Sequence, residues 1–291
     1  MQHHVLIDTV RYIIAGLTLV ALTLGAAVYS GYWPNAGAPS EALQSAVPFM
    51  LGFLALSFVL ALSLPRRIPR LIFLLGLFPL LVGWRIAALS NLEWVALFAA
   101  AAFVGYIVLF GIIAVIGLRA PADQQPNRIT TTYSAIQLGF IRLYLGLDLV
   151  PHFTEKLFAG PGPRADDVKA FQALGISDAL PFVVVAGIIE LSAAIGVGLG
   201  VLTRLAAVLT VIYLMVATVM GHHFQLGFIW ATTGGGWEYP VLWSALIFSF
   251  VLGGGRWLSL DEVISEHVTL PGWVKFLMGD TVSHTCTRLE K

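Results

Sequence analysis

The 291-residue chain is 58% hydrophobic and 11% charged, with a mean hydropathy of +0.87, which excludes an ordinary soluble domain and points to a polytopic membrane protein. Its formal charge is zero, so no basic surface for nucleic acid is expected. The single cysteine, Cys286, excludes an intramolecular disulfide framework and a cysteine-based metal motif.

The N-terminal MQHHVLIDTVR leads into an apolar run longer than a signal-peptide core, read as a retained first span over residues 12–33, with Tyr32 and Trp33 at its exit. A second span over residues 46–64 ends at PRRIPR, whose Arg66, Arg67 and Arg70 form the densest basic cluster and mark a cytoplasmic loop. Spans three and four cover residues 71–90 and 94–118. The polar RAPADQQPNRITTTYS carries two prolines and no apolar periodicity, so residues 119–134 read as a cytoplasmic linker between two four-helix halves.

The fifth span, residues 135–153, is the most polar, with Arg142, Asp148, Pro151 and His152. A Gly/Pro turn and the amphipathic ADDVKAFQALGI follow, with Val168, Phe171 and Leu174 at helical spacing for a surface helix. The sixth span, LPFVVVAGIIELSAAIGVGLGVLTR, holds Glu190 near its middle. An acidic side chain there costs roughly 2.5–3.5 kcal/mol, so it must face other helices or water. The seventh span, residues 205–220, ends at His222 and His223. A glycine-rich loop with Glu238 precedes the eighth, residues 239–252, and short amphipathic helices with Trp273 and Phe276 are expected in the tail.

The expected fold is therefore all-α: eight transmembrane helices in two four-helix bundles, with both termini inside. Residues 1–118 form the first half, 135–258 the second bundle, and 259–291 an amphipathic cytoplasmic tail. This topology also leaves Arg11, Arg119, Arg128, Arg204, Arg256 and Lys275 inside. RYIIAGLTLV in the first span echoes RLYLGLDLV in the fifth, as a duplicated four-helix unit would; chance likeness of Leu-rich helices is the other explanation.

Counting 1.5 Å per residue puts Arg142 roughly 12 Å and Glu190 roughly 15 Å deep from opposite faces. Within a core of about 30 Å the two are expected to pair, either as packing glue or beside a bound quinone or similar redox cofactor. Asp148, His152 and Lys156 recur at i, i+4 and i+8 and share one face if Pro151 does not break the turn. With Glu238, His222 and His223 they would line the outer mouth as proton relays or metal ligands, or stand as solvated interfacial side chains. Glu190, Arg142 and Asp148 are the candidate catalytic groups, His152, Lys156 and Glu238 the candidate cofactor-binding groups, and His222 and His223 the candidate metal ligands. Nothing in the pattern decides for a metal or a haem.

RLYLGLDLVPHFTEKLF, ALGISDALPFVVVAGIIELSAAIGVGLGVLTRLAAVL and GGGWEYPVLWSALIFSFVLGGGRWLSLDE, over residues 141–262, resemble the DoxX family of four-helix membrane proteins, which includes the DoxD-like subunits of thiosulfate:quinone oxidoreductases. Arg142, Gly146, Lys156, Gly175, Glu190, Gly200, Arg204, Glu238, Gly255, Arg256 and Asp261 fall at its polar and glycine positions. Ala193 and Ala194 stand where the family often has a Gly pair, and residues 1–118 carry no matching motif. The resemblance implies a membrane redox role, with electron delivery to quinone or association with a soluble oxidoreductase. The expected function is thus an integral component of a respiratory or redox system in the cell's inner (cytoplasmic) membrane, such as a quinone-linked oxidoreductase subunit with the bilayer and respiratory subunits as partners. A non-catalytic anchor for a partner oxidoreductase and a small-solute transporter are the alternatives; the transporter's signature, a discontinuous helix, is not expected here.

Overall fold

The computed structural model describes residues 2–33, 40–119 and 131–279, and these are all-α. Most of the expected linker and the end of the tail, including Cys286, lie outside the described residues. The N-terminal half consists of α1 (Gln2–Tyr29), the short α2 (Ser40–Ser45), α3 (Val47–Ser63), α4 (Pro69–Leu89) and α5 (Glu93–Arg119). α1 packs on α3 and α5, α3 on α4, and α4 on α5, closing a four-helix ring. The second half holds α6 (Tyr133–Leu147), α7 (Val150–Leu157), α8 (Pro161–Ala173), α9 (Ala179–Ala193) with a π-helical continuation Ala194–Gly200, α10 (Thr203–Met220) and α11 (Glu238–Gly253); α12 (Leu260–His267) and α13 (Gly272–Met278) form the tail.

Among the described residues, five helices are long and apolar enough to cross a membrane: His3–Tyr29, Pro69–Leu89, Glu93–Arg119, Ala179–Gly200 and Thr203–Met220. Val47–Ser63 and Glu238–Gly253 are apolar but shorter. The protein is a multi-pass membrane protein. Its fifth apolar segment is broken between α6 and α7, which corrects the expectation that no helix is discontinuous. Pro151 has no N–H to return to Leu147, and the Leu149 N–H turns to the Gly146 carbonyl at 3.3 Å instead of continuing the α-helical ladder.

The sequence echo between the halves has a structural counterpart. Arg11, near the start of α1, donates to the carbonyls of Ala61, Leu62 and Leu64 at the end of α3. Arg142, past the middle of α6, donates to the carbonyls of Val197 and Gly198 at the end of the π segment, and also to Leu258. In each half an arginine on the first long helix thus satisfies the last carbonyls of the next one, where the helix leaves them unpaired. Arg70 and Arg204 then each stand second in the following helix.

The halves share one apolar core. Phe78 stacks on Phe153 at 6.0 Å, Phe53 meets Phe158 at 5.1 Å, and Phe110 meets Trp257 at 5.6 Å. Ion pairs reinforce both ends of the seam: Arg70 with Glu262 and Glu266, each at 2.9 Å, and Arg85 with Glu155. The tail helix α12 is docked by Asp261, whose carboxylate accepts from the Leu202 and Thr203 amides and the Thr203 hydroxyl at 2.7–2.9 Å, capping α10. α8 is a helix where a surface helix was expected, but it ends before Leu174, buries none of its residues and shows no amphipathic face; α13 exposes Trp273 and Phe276.

Candidate functional site

Glu190 lies near the middle of the Ala179–Gly200 span and is 6% exposed, facing other helices rather than lipid. Its partner is not Arg142. Lys156, at the end of α7, brings its Nζ to 3.1 Å from Glu190 Oε2, while the Tyr213 hydroxyl of α10 donates to Glu190 Oε1 at 2.6 Å. Depth counting failed for two reasons. The fifth segment continues past Pro151 to Leu157, which carries Lys156 to the level of Glu190. Arg142 meanwhile sits level with Gly198, eight residues along the helix and about 12 Å away. It is fully buried and held by backbone carbonyls, a packing role.

Small residues make this approach possible. A Cβ on Gly187 would sit 2.9 Å from Lys156 Cβ, and one on Gly146 would sit 2.1 Å from the Gly198 nitrogen, so both helix crossings need glycine. Gly187 and Gly198 of the sixth span therefore serve close packing.

Lys156 also donates to the His152 carbonyl at 3.3 Å and faces Asp167 of α8 at 3.8 Å. Burial pushes the Asp167 carboxyl above its ordinary range, against the opposing pull of Lys156 and with Glu155 and Glu190 adding to the rise. Four titratable groups thus run from the half-buried Asp167 through Lys156 and Glu190 to Tyr213, itself partly exposed on a helix whose Leu209, Ile212 and Val216 face outward. Sequence reading missed Tyr213 and Asp167. The signal for Tyr213 was present: it is the one ionisable side chain between Leu205 and Met220.

The break at Asp148 turns the expected i, i+4, i+8 face apart. Asp148 accepts from the Tyr239 hydroxyl at 2.8 Å and His152 lies 6.2 Å from the Trp243 ring, both on α11, whereas Lys156 points to α9. An aromatic chain continues from Trp243 through Tyr239 and Trp230 to His223, with ring centroids 5.5–5.7 Å apart. Glu238 accepts from the Trp230 amide at 3.2 Å. His223 Nδ1 contacts the Gly235 carbonyl at 2.7 Å, which makes it the donor and leaves Nε2 as an acceptor in the neutral ring. His222 is exposed, with φ 56°. Among the described residues no group of three or more His, Cys, Asp or Glu side chains is placed to hold a metal ion, so the geometry lends no support to a metal at His222 and His223.

Comparison with known proteins gave no match among curated proteins and none among solved structures. Residues 138–223 match the DoxX family, a stretch that holds Arg142, Lys156, Asp167, Glu190 and Tyr213. The N-terminal helices fall outside that match. The chain is a multi-pass membrane protein that carries a DoxX family domain at residues 138–223.

Proposed function

We propose that the protein is the membrane component of a quinone-linked redox system in the cell's inner membrane, and that its DoxX domain handles the protons of that reaction. The observation that carries this reading is the Lys156–Glu190–Tyr213 cluster, a carboxylate at mid-span that is ion-paired to an ammonium and hydrogen-bonded by a phenol on a lipid-facing side. Quinones dissolve in the bilayer and carry two electrons together with two protons. Tyr213 suits such a group because its partly exposed ring is approachable from the hydrocarbon and its hydroxyl is already bonded to a proton acceptor.

In this reading each proton that a quinone oxygen takes up on reduction leaves the Tyr213 hydroxyl and is replaced through Glu190 Oε1, Lys156 holds the carboxylate ionised between transfers, and Asp167 connects the cluster to the polar surface beside α8, from which the protons come. Electrons come from a partner oxidoreductase. The eight-span topology with both termini inside has support in the clustering of Arg11, Arg70 and Arg204 at one end of the bundle, through the ends of α3, α12 and α13 that they bind. Glu190→Gln is expected to abolish quinone-linked turnover in native membranes while the protein still inserts and melts cooperatively. Turnover that survives in this variant overturns the assignment.

One observation favours the non-catalytic anchor as a second reading. The tail helix α12 is fastened to both halves, through Arg70 and Thr203, and so offers a rigid mount for a partner. Removing α12 and α13 should then release the partner while leaving any turnover by the isolated chain unchanged.

A further inference from the structure

The start of α10, the end of α11 and the tail helix α13 meet at one end of the bundle, and three cations collect there. Arg204, the second residue of the Thr203–Met220 span, donates to the Leu252 carbonyl at 2.9 Å and to the Phe276 carbonyl at 3.3 Å, with its guanidinium 5.3 Å from the centre of the Phe276 ring. It thereby ties α13 to the last turn of α11. Arg256, just past that turn, is exposed and donates through Nε to the Gly253 carbonyl at 3.1 Å. Lys275 lies on α13 beside Phe276. A Cβ on Gly254 would sit 2.6 Å from the Gly279 Cα, so the end of α13 is pressed against the turn that leads to Arg256.

Three observations fix the class of ligand. First, the charge is uncompensated. Among the described residues none of the three cations has an ion-pair partner; Arg204 and Arg256 bond only to neutral carbonyls, and the two terminal nitrogens of Arg256 donate to no residue. The carboxylates of the neighbouring α12 are engaged elsewhere, Asp261 by the Leu202 and Thr203 amides and Glu262 and Glu266 by Arg70. Arg256 also holds φ 45°, in the left-handed region that favours glycine, so its side chain is kept at a backbone cost. Second, the patch stands at the level of the lipid head groups, because Arg204 opens a span and Leu252 and Gly253 close the apolar α11. Third, the flanks are apolar: Leu252, Trp273 and Phe276 are 64–72% exposed. A soluble anion has no use for such flanks, whereas a phospholipid lays its acyl chains against them while its phosphate meets the cations.

We propose that this end of the bundle binds an anionic phospholipid, its phosphate accepting from the terminal nitrogens of Arg256 and from Lys275, with Arg204 adding its charge and the acyl chains lying along Leu252 and Phe276. The site uses no residue of the Glu190 cluster, and its occupancy is read without any redox turnover.

The test uses the full chain in phosphatidylcholine vesicles and two photoreactive probes that carry the same diazirine-bearing acyl chain, a phosphatidylglycerol and a phosphatidylcholine. A cation at head-group level strengthens the binding of an anionic lipid about fivefold. The phosphatidylglycerol should therefore label peptides containing Leu252 or Trp273 and Phe276 saturably, and at least about tenfold more than the phosphatidylcholine. Arg256→Gln and Lys275→Gln should each lower that labelling about fivefold and together remove most of the preference, whereas Arg256→Lys keeps the charge and should stay within about twofold. Arg67→Gln, which removes an exposed cation from the N-terminal half, and Glu190→Gln should leave it unchanged. Unlabelled phosphatidylglycerol should compete, and inorganic phosphate at the same concentration should not. Equal labelling by the two probes overturns the proposal. So does competition by inorganic phosphate, or a preference that survives the Arg256→Gln, Lys275→Gln double variant in protein with a native melting transition.

Discussion

Replacing Glu190 and Lys156 singly and together measures the pair on which the site depends. Their charged atoms are 3.1 Å apart with both side chains under 10% exposed, so the attraction at an effective dielectric of 20 is about 5 kcal/mol. Desolvation of both groups offsets much of this in the intact protein, but removing one partner leaves the other charge buried alone. Glu190→Gln keeps the Tyr213 hydrogen bond and orphans the ammonium, and Lys156→Met orphans the carboxylate; each should cost about 3–5 kcal/mol. The double variant carries no uncompensated charge, so the cycle should return a coupling of about 3 kcal/mol. Arg142→Gln serves as the control partner, and its coupling to Glu190 should stay below about 0.5 kcal/mol because the two side chains share no contact. Reversible unfolding of the detergent-solubilised variants gives all the terms. Coupling of Glu190 to Arg142 instead of Lys156, or single variants costing under about 1 kcal/mol, would refute the assignment.

Other predictions follow from the same contacts. Arg142→Lys replaces a planar fork that bonds carbonyls of two separate segments with a single ammonium, and should cost about 2–3 kcal/mol in the same unfolding experiment. Gly146→Ala puts a Cβ 2.1 Å from the Gly198 nitrogen, so the helices must part; a loss of about 1–3 kcal/mol is expected, larger than for Gly52→Ala, where the added carbon meets nothing. Burial pushes the carboxyls of Asp167, Asp261 and Glu262 up, outweighing Lys156, the Thr203 and Leu202 donors, and Arg70 respectively. Because the folded values lie above the unfolded ones, the stabilisation is full below the ordinary carboxylate range and is lost as pH rises through the raised values. The melting temperature should therefore climb as pH falls from 7 toward the carboxylate range, and Asp167→Asn should flatten the slope; a melting temperature that rises with pH would contradict this.

The sequence made the membrane class, the apolar segments and the DoxX resemblance legible because long hydrophobic runs and spaced polar residues survive without tertiary information. It also placed Glu190 among helices rather than lipid. What it missed lies in three-dimensional detail. Pro151 interrupts the fifth segment without ending it, so a straight-helix ruler stops short of Lys156 and overrates Arg142. Arg142 looked like an ion-pair partner because a guanidinium satisfied by backbone carbonyls leaves no mark in the sequence. Tyr213 carries no motif that ties it to Glu190, since only the crossing of α9 and α10 brings it within 2.6 Å of that carboxylate.

The most direct test of the proton-handling role is an infrared difference spectrum of the full chain in vesicles containing a long-chain quinone, recorded as the quinone pool is reduced and reoxidised. A reversible carbonyl band from a buried carboxylic acid is expected, one that disappears in Glu190→Gln and shifts in Tyr213→Phe. A spectrum with no such band, or with a band unchanged by Glu190→Gln, would contradict it.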